Sequence, residues 1–425
     1  MILGVIADDF TGATDVASML VRAGMHTVQV LGVPESGLPQ ADAVVIALKT
    51  RTSAPGDAVA QSLRALASLR AAGARQIYFK YCSTFDSTAQ GNIGPVTDAL
   101  MAALGTDFTI ACPAFPENGR TVFRGHLFVG DVLLSDSGMR HHPLTPMTDS
   151  NLVRVLQAQT SHPVGLLRHD TIDGGATITQ ARMAQLRAEG LKIAVADALS
   201  NEHLMTLAEA CAELPLLTAG SGVALGLPSA YARRGWFTPN ANACDLDTLQ
   251  GPAAVVSGSC SEATNAQVAQ WLAAGRMALQ VDPLALHSGQ QTADTVLAQA
   301  TQALAQGPVL VYATATPMSV RAVQQAIGVQ AAGEQVEHAL AHIAQGLVQA
   351  GVRRLVVAGG ETSGAVVQAL GVQQLRIGAA ICPGVPWTQS TLAGSGEAVQ
   401  LALKSGNFGG ADFFAQALER AVVAL

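Results

Sequence analysis

Two adjacent aspartates, Asp8 and Asp9, close the apolar opening of the chain and are followed by Phe10-Thr11-Gly12-Ala13. Carboxylates at the end of a strand can hold Mg²⁺ or accept a proton from a substrate hydroxyl. One of them, or Thr11, can equally cap the helix that follows. A second polar stretch runs from Lys80 through Cys82, Ser83, Thr84, Phe85 and Asp86 to Thr88, then Gly91-Asn92. A lysine, an aspartate and four hydroxyls within nine residues suit a small polyhydroxylated acid. Arg51, leaving another apolar run with Lys49 and Thr52, is expected to clamp the carboxylate of that acid, because guanidinium binds carboxylate bidentately. Asp9 and Asp86 are the candidate bases, with Asp8 a candidate Mg²⁺ holder, directly or through water.

The second half carries different chemistry. Ser257-Gly258-Ser259-Cys260-Ser261 and Gly359-Gly360-Glu361-Thr362-Ser363-Gly364 each follow a β-branched run and precede a segment of helical period. Free backbone N–H groups and the helix dipole at such a turn favour an anion such as a phosphate. Lys404-Ser405-Gly406 is a third turn of this kind, with Lys404 expected to face a phosphate. A single such turn is more often only a tight corner; three in one half point to a nucleotide. No GxxxxGK[ST] and no strand-linked GxGxxG occur, so neither a P-loop nor a dinucleotide fold is indicated. His141 and His142 are adjacent without HExxH spacing, no GxSxG is present, and the six cysteines form no CxxC pair.

These residues need elements to position them. The chain has 425 residues, 49% hydrophobic and 13% charged, enough for two or three domains with large cores. A formal charge of −7, no basic block and 4% aromatics argue against nucleic acid, and no apolar run is long enough to cross a bilayer. Scattered cysteines and no leader-like N-terminus suit a cytoplasmic enzyme. Strands are expected at Ile2–Ala7, Ala43–Leu48, Gln76–Phe79, Phe108–Ala111, Val164–Leu167, Ile193–Asp197 and from Leu216. They restart at Ala253–Val256, Val309–Tyr312 and Leu355–Ala358, with helical segments between. The turn-rich stretch 229–252 reads as a linker. The expected fold is α/β: two tandem domains, 1–228 and 253–425, with largely parallel sheets and ligands beyond the carboxyl ends of the strands.

The motifs together resemble the four-carbon acid sugar kinases. Ile6-Ala7-Asp8-Asp9-Phe10-Thr11-Gly12-Ala13 is similar to that family's opening, the Lys80–Asn92 stretch to its second motif, and Cys112-Pro113-Ala114-Phe115-Pro116-Glu117-Asn118-Gly119-Arg120 to its third. The three glycine turns are similar to its nucleotide-side motifs. Within the family, the Lys80–Thr88 spelling and Arg124-Gly125-His126 look like the branch acting on 3-oxo-tetronates rather than on threonate or erythronate. The resemblance implies ATP-dependent phosphorylation of O4, with Mg²⁺, the acid on the N-terminal domain, ATP on the C-terminal domain, and a cleft between them. A threonate or erythronate kinase and a non-catalytic sugar-acid binding protein stay open as alternatives, as does a homo-oligomeric state.

Overall fold

The computed structural model describes residues 1–34, 37–142, 144–392 and 394–420. It divides into two compact units, Met1–Cys244 and Asp245–Leu425. Among the described residues no helix is long and apolar enough to cross a membrane.

In the first unit, β1 (Leu3–Ala7), β2 (Thr27–Leu31), β3 (Ala43–Ala47), β4 (Gln76–Lys80) and β5 (Thr109–Cys112) are followed by β6 (Arg120–Phe123), β7 (His126–Val129) and β8 (Val132–Leu133). Then come β9 (Val164–Leu167), β10 (Ile193–Ala196) and β11 (Leu216–Ala219). Eight of these form a parallel sheet in the order β2-β3-β1-β4-β11-β5-β10-β9. The strands β1, β3 and β4 are buried at every position, as expected of parallel strands covered on both faces. The chain leaves β1 toward β2 on one side and leaves β4 toward β5 on the other. A crevice therefore opens between the carboxyl ends of β1 and β4. The strands β6, β7 and β8 form a separate antiparallel ribbon that the sequence reading did not anticipate.

The second unit contains β12 (Ala253–Ser257), β13 (Ala278–Gln280), β14 (Val309–Tyr312), β15 (Arg354–Ala358), β16 (Gln374–Cys382), β17 (Val385–Thr391) and β18 (Ala398–Lys404). Their order is β13-β14-β12-β15-β18-β17-β16. The first five pair in parallel; β17 is antiparallel to both β18 and β16, which corrects the purely strand–helix alternation expected here. Again two adjacent strands, β12 and β15, send their connections in opposite directions, and a second crevice lies at their carboxyl ends. Of the stretch read as a linker, the start belongs to the helix Leu227–Arg233, and its last residues pack within the second unit, where Leu246 lies against Gly378.

Strand β18 ends on a fully buried lysine. The Lys404 ammonium donates to the carbonyls of Ser405 (3.0 Å), Gly406 (2.8 Å) and Phe408 (3.2 Å) and to Thr264 Oγ1 (3.1 Å). Burial lowers its pKa to about 8, so it is charged at neutral pH and those oxygens compensate the charge. It anchors the 404–408 turn rather than reaching outward for a phosphate. Lys404→Met keeps the stem and removes the donors, leaving buried carbonyls unpaired. It should lower the stability of this unit by roughly 2–3 kcal/mol in urea unfolding; an unchanged midpoint would show that the ammonium is dispensable.

Candidate active site

The first crevice gathers residues that lie far apart in sequence. The register aligns Ala7 of β1 with Ala47 of β3 and with Lys80 of β4, so the loops leaving all three strands start level. The amides of Thr50 and Arg51 both donate to the Asp8 carbonyl, and the buried Asn92 side chain donates to the carbonyls of Thr50, Arg51 and Ser53. Held this way, Arg51 grips both oxygens of Asp8 (Nε 3.0 Å, Nη2 2.7 Å) and also Asp9 Oδ1 (2.8 Å). Asp9 caps the helix Phe10–Arg22 as well, accepting from the Gly12 amide and the Thr11 hydroxyl.

Two sequence expectations change here. The edge of Arg51 expected to clamp a substrate carboxylate is already filled by Asp8. Asp8, with both oxygens on Arg51, does not fit a direct Mg²⁺ ligand. Among the described residues no group of three His, Cys, Asp or Glu could hold a metal ion. Burial raises the Asp8 carboxyl above its ordinary value even beside Arg51. Burial acts on Asp9 in the same sense, but Arg51 and Lys80 outweigh it and hold Asp9 below its usual value, hence ionised.

Lys80 is 2% exposed and donates to the Tyr81 carbonyl at 2.9 Å. Its Nζ crowds Gly12, where a β carbon would stand 2.9 Å from it. Next come Cys82, whose thiol burial raises to about 12, and Thr84, which donates to Asp86 Oδ1 at 2.6 Å and meets Cys82 Sγ at 2.9 Å. Ser83 and Asp86 are half-buried. Phe85 is fully buried in a left-handed conformation (φ 52°), its ring edge-on to Tyr81. It plugs the loop into the core and does not line the surface.

In the second unit a cavity of about 650 Å³ opens over the β12/β15 crevice. Gly258, Ser259, Gly359, Gly360, Glu361 and Thr362 line it. The two turns pack on one another. A β carbon on Gly258 would stand 2.2 Å from Thr362 Oγ1, and one on Gly359 (φ 125°) would stand 3.2 Å from the Ser259 amide nitrogen. At Gly360 a β carbon would meet nothing within 4 Å, because the position faces the cavity. The helix Gly360–Ala369 starts there, and its first N–H groups lack intrahelical partners. The remaining predicted positions lie behind this lining. Ser257 is buried against Thr314 (2.7 Å), Ser363 is fully buried, Lys404 is buried as above, and Gly406 abuts Ser259 and Ser261.

Residues 3–227 match a family described as a sugar-binding N-terminal domain, and residues 254–414 match a nucleotide-binding C-terminal domain. A Cupriavidus necator protein named 3-oxo-tetronate kinase is 60% identical over 423 residues, 99% of this chain and 97% of its own length. A Burkholderia multivorans protein of the same name is 62% identical over 418 residues, 98% and 96% of the two chains. The chain belongs to the four-carbon acid sugar kinase family. Among solved structures, this family member is similar to a Salmonella typhimurium LT2 protein described as a putative tRNA synthase (TM-score 0.86, 46% identity, 98% and 99% of the chains). It is also similar to a Haemophilus influenzae protein (TM-score 0.80, 45% identity, 98% and 99%).

One acid of this kinase-family site was not visible in the sequence. Asp15, on the helix Phe10–Arg22, is 7% exposed; its Oδ2 accepts from the Ser221 hydroxyl, and its Oδ1 has no hydrogen-bond partner among the described residues. Burial pushes its carboxyl up to about 6, against the pull of Lys80 and Ser221. An acid with a raised folded-state pKa is penalised once ionised. The penalty is absent below about pH 4, grows as pH rises toward 6, and is complete above it, roughly 3 kcal/mol for a shift of about two units. Asp15→Asn cannot ionise. Between pH 4 and 7 the wild type should therefore lose about that much stability relative to the variant, measured as the difference between their unfolding free energies. A pH-independent difference would show that Asp15 is not strained by burial.

Proposed function

We propose that the chain is a 3-oxo-tetronate kinase, transferring the γ-phosphoryl group of ATP to O4 of a 3-oxo-tetronate. Full-length identity near 60% to proteins of that name carries the reading. Two crevices of complementary chemistry support it, one charged and hydroxyl-rich, the other a glycine-turn cavity. The acceptor lies over Asp9, Lys80, Ser83, Thr84 and Asp86. With Arg51 committed to Asp8 and Asp9, Lys80 is the cation that meets the substrate carboxylate, since the Tyr81 carbonyl occupies only one of its three N–H groups. The ATP phosphates rest on the turns at Gly258–Ser261 and Gly360–Thr362. Magnesium arriving with ATP would neutralise β- and γ-phosphate oxygens while keeping water ligands.

Transfer forms the bond from O4 to Pγ and breaks the bond from Pγ to the bridging oxygen, releasing ADP. The O4 proton needs a carboxylate. Asp86 is the better base: Thr84 occupies its Oδ1 and leaves Oδ2 open, whereas Asp9 already accepts from Arg51, Gly12 and Thr11. Asp9 aligns the site. A tRNA substrate finds no support in the sequence, which carries a formal charge of −7 and no basic block. Six free thiols fit a reducing compartment such as the cytoplasm.

ADP release measured over a panel of 3-oxo-tetronates, threonate and erythronate tests the reading. It should be fastest with a 3-oxo-tetronate; a preference for threonate or erythronate would reassign the substrate, and no ADP with any acid would favour the binding-protein reading. Gly360→Val places a side chain toward the cavity, where a β carbon meets nothing within 4 Å. It should raise KM for ATP at least tenfold and leave KM for the acid unchanged. Asp86→Asn should lower kcat by about 10²-fold, the effect typical of a lost general base. Wild-type kcat in that variant would return the base to Asp9.

A further inference from the structure

The phosphoryl transfer described above gives Asp15 no role, although Asp15 is buried beside the residues that carry it. Asp15 lies one turn beyond Gly12 on the helix Phe10–Arg22, so the two positions share a face. The Lys80 ammonium rests on that face because Gly12 has no side chain to keep it off. A β carbon there would stand 2.9 Å from Lys80 Nζ and 2.2 Å from Asp9 Oδ1. The charge of Lys80 acts on Asp9 and on Asp15 alike. From its other side Asp15 is held by the hydroxyl of Ser221, a buried residue on the turn after β11. That bond uses Oδ2; Oδ1 is buried and meets no donor among the described residues.

The titratable groups facing Asp15 come from three elements. β4 supplies Lys80 and Tyr78, whose phenol burial holds well above its usual value. The cap of its own helix supplies Asp9, and the turn after β5 supplies Glu117. Glu117 is taken at both oxygens by Arg22, and Arg51 is taken by Asp8 and Asp9. The cation facing Asp15 is thus Lys80, which serves Asp9 as well. Any further anion that draws on Lys80 leaves a buried, poorly compensated charge on Asp15, and a proton on Oδ1 removes it.

We infer that Asp15 is the proton-accepting positioning residue of the acceptor crevice: as the carboxylate of the acid engages Lys80, a proton from solvent binds Asp15 Oδ1 and frees the ammonium for the acid. This rests on the acid-binding reading above and adds to it a coupling between binding and protonation. Burial already holds the ligand-free Asp15 carboxyl at about 6, so at neutral pH it is mostly ionised and has a proton to take. Neutral Asp15 favours the acid and ionised Asp15 competes with it. Affinity should therefore be greatest below about pH 6 and fall as pH rises.

Titration calorimetry of the full chain with a 3-oxo-tetronate near pH 7, in two buffers of different ionisation enthalpy, counts the protons bound. Wild type should take up a substantial fraction of a proton, and should bind roughly three- to tenfold more tightly at about pH 5.5 than at about pH 8. Asp15→Asn, permanently neutral, should take up none and bind more tightly than wild type at the higher pH, the opposite of what losing a merely structural acid would do. No proton uptake by wild type, or weaker binding by Asp15→Asn, would overturn the inference. A ligand-free measurement separates it from the acid reading. Lys80→Met withdraws the cation permanently, so the Asp15 carboxyl ¹³C resonance, assigned by its absence in Asp15→Asn, should titrate at about pH 7 or above instead of near 6. An unchanged titration would also overturn the inference. If that resonance moves but wild type binds no acid, the acid-binding reading fails and the dependence of Asp15 on Lys80 stands.

Discussion

The functional chemistry depends on one constraint of parallel sheets. When neighbouring strands send their chains to opposite sides, no connection can cover the gap between their carboxyl ends. The pair β1/β4 in the first unit and the pair β12/β15 in the second are in this position. The sheet register then decides what fills each gap. In the first, Asp8, Asp9 and the loops carrying Arg51 and Lys80–Asp86 start at one level. In the second, two glycine turns pack so closely that neither Gly258 nor Gly359 has room for a side chain. The same topology thus yields a polar, charged crevice in one unit and a backbone-lined one in the other. The difference lies in the loop residues.

Charge is tightly balanced in the first crevice. Three carboxylates, Asp8, Asp9 and Asp15, stand with two cations, Arg51 and Lys80; Asp8, Asp15 and Lys80 are buried, and Asp9 and Arg51 are half-buried. Arg51 neutralises Asp8 and leans on Asp9. That leaves Lys80 as the cation with donors to spare, and Asp15 as the acid without a full partner. Lys80 keeps N–H donors from which the oxygens of a bound acid can accept, while its charge already serves Asp9 and Asp15. In the second unit the buried Lys404 contrasts with this: carbonyls of its own turn and Thr264 surround it, so its charge shapes the loop that abuts Ser259.

Much of the fold was legible because fully buried parallel strands write themselves as apolar runs, as in Ala43–Ala47, and because glycine turns after such runs mark ligand-facing corners. Strands that alternate buried and exposed residues were not legible. Gln374–Cys382 begins with exposed Gln374 and Arg376, and it belongs to an antiparallel hairpin outside the βα rhythm. Thr27–Leu31 hides a buried glutamine, Gln29, satisfied by the Thr14 hydroxyl and the Phe10 carbonyl of the neighbouring helix. The site residues were found by type and spacing, but their partners were not. Nothing local shows that Arg51 meets Asp8 across 43 positions or that Asp15 meets Ser221 across 206. Nothing in the sequence of Pro317–Ile327 marks its apolar face as the wall of a cavity.

The most direct test of the central claim is phosphorus NMR of the purified protein incubated with ATP, Mg²⁺ and a 3-oxo-tetronate. Phosphorylation at O4 places the new ester next to a methylene, so its resonance should couple to the two C4 protons, as an apparent triplet, while the ADP signals grow. A doublet, coupled to the single proton on C2, or inorganic phosphate as the sole new species, would contradict it.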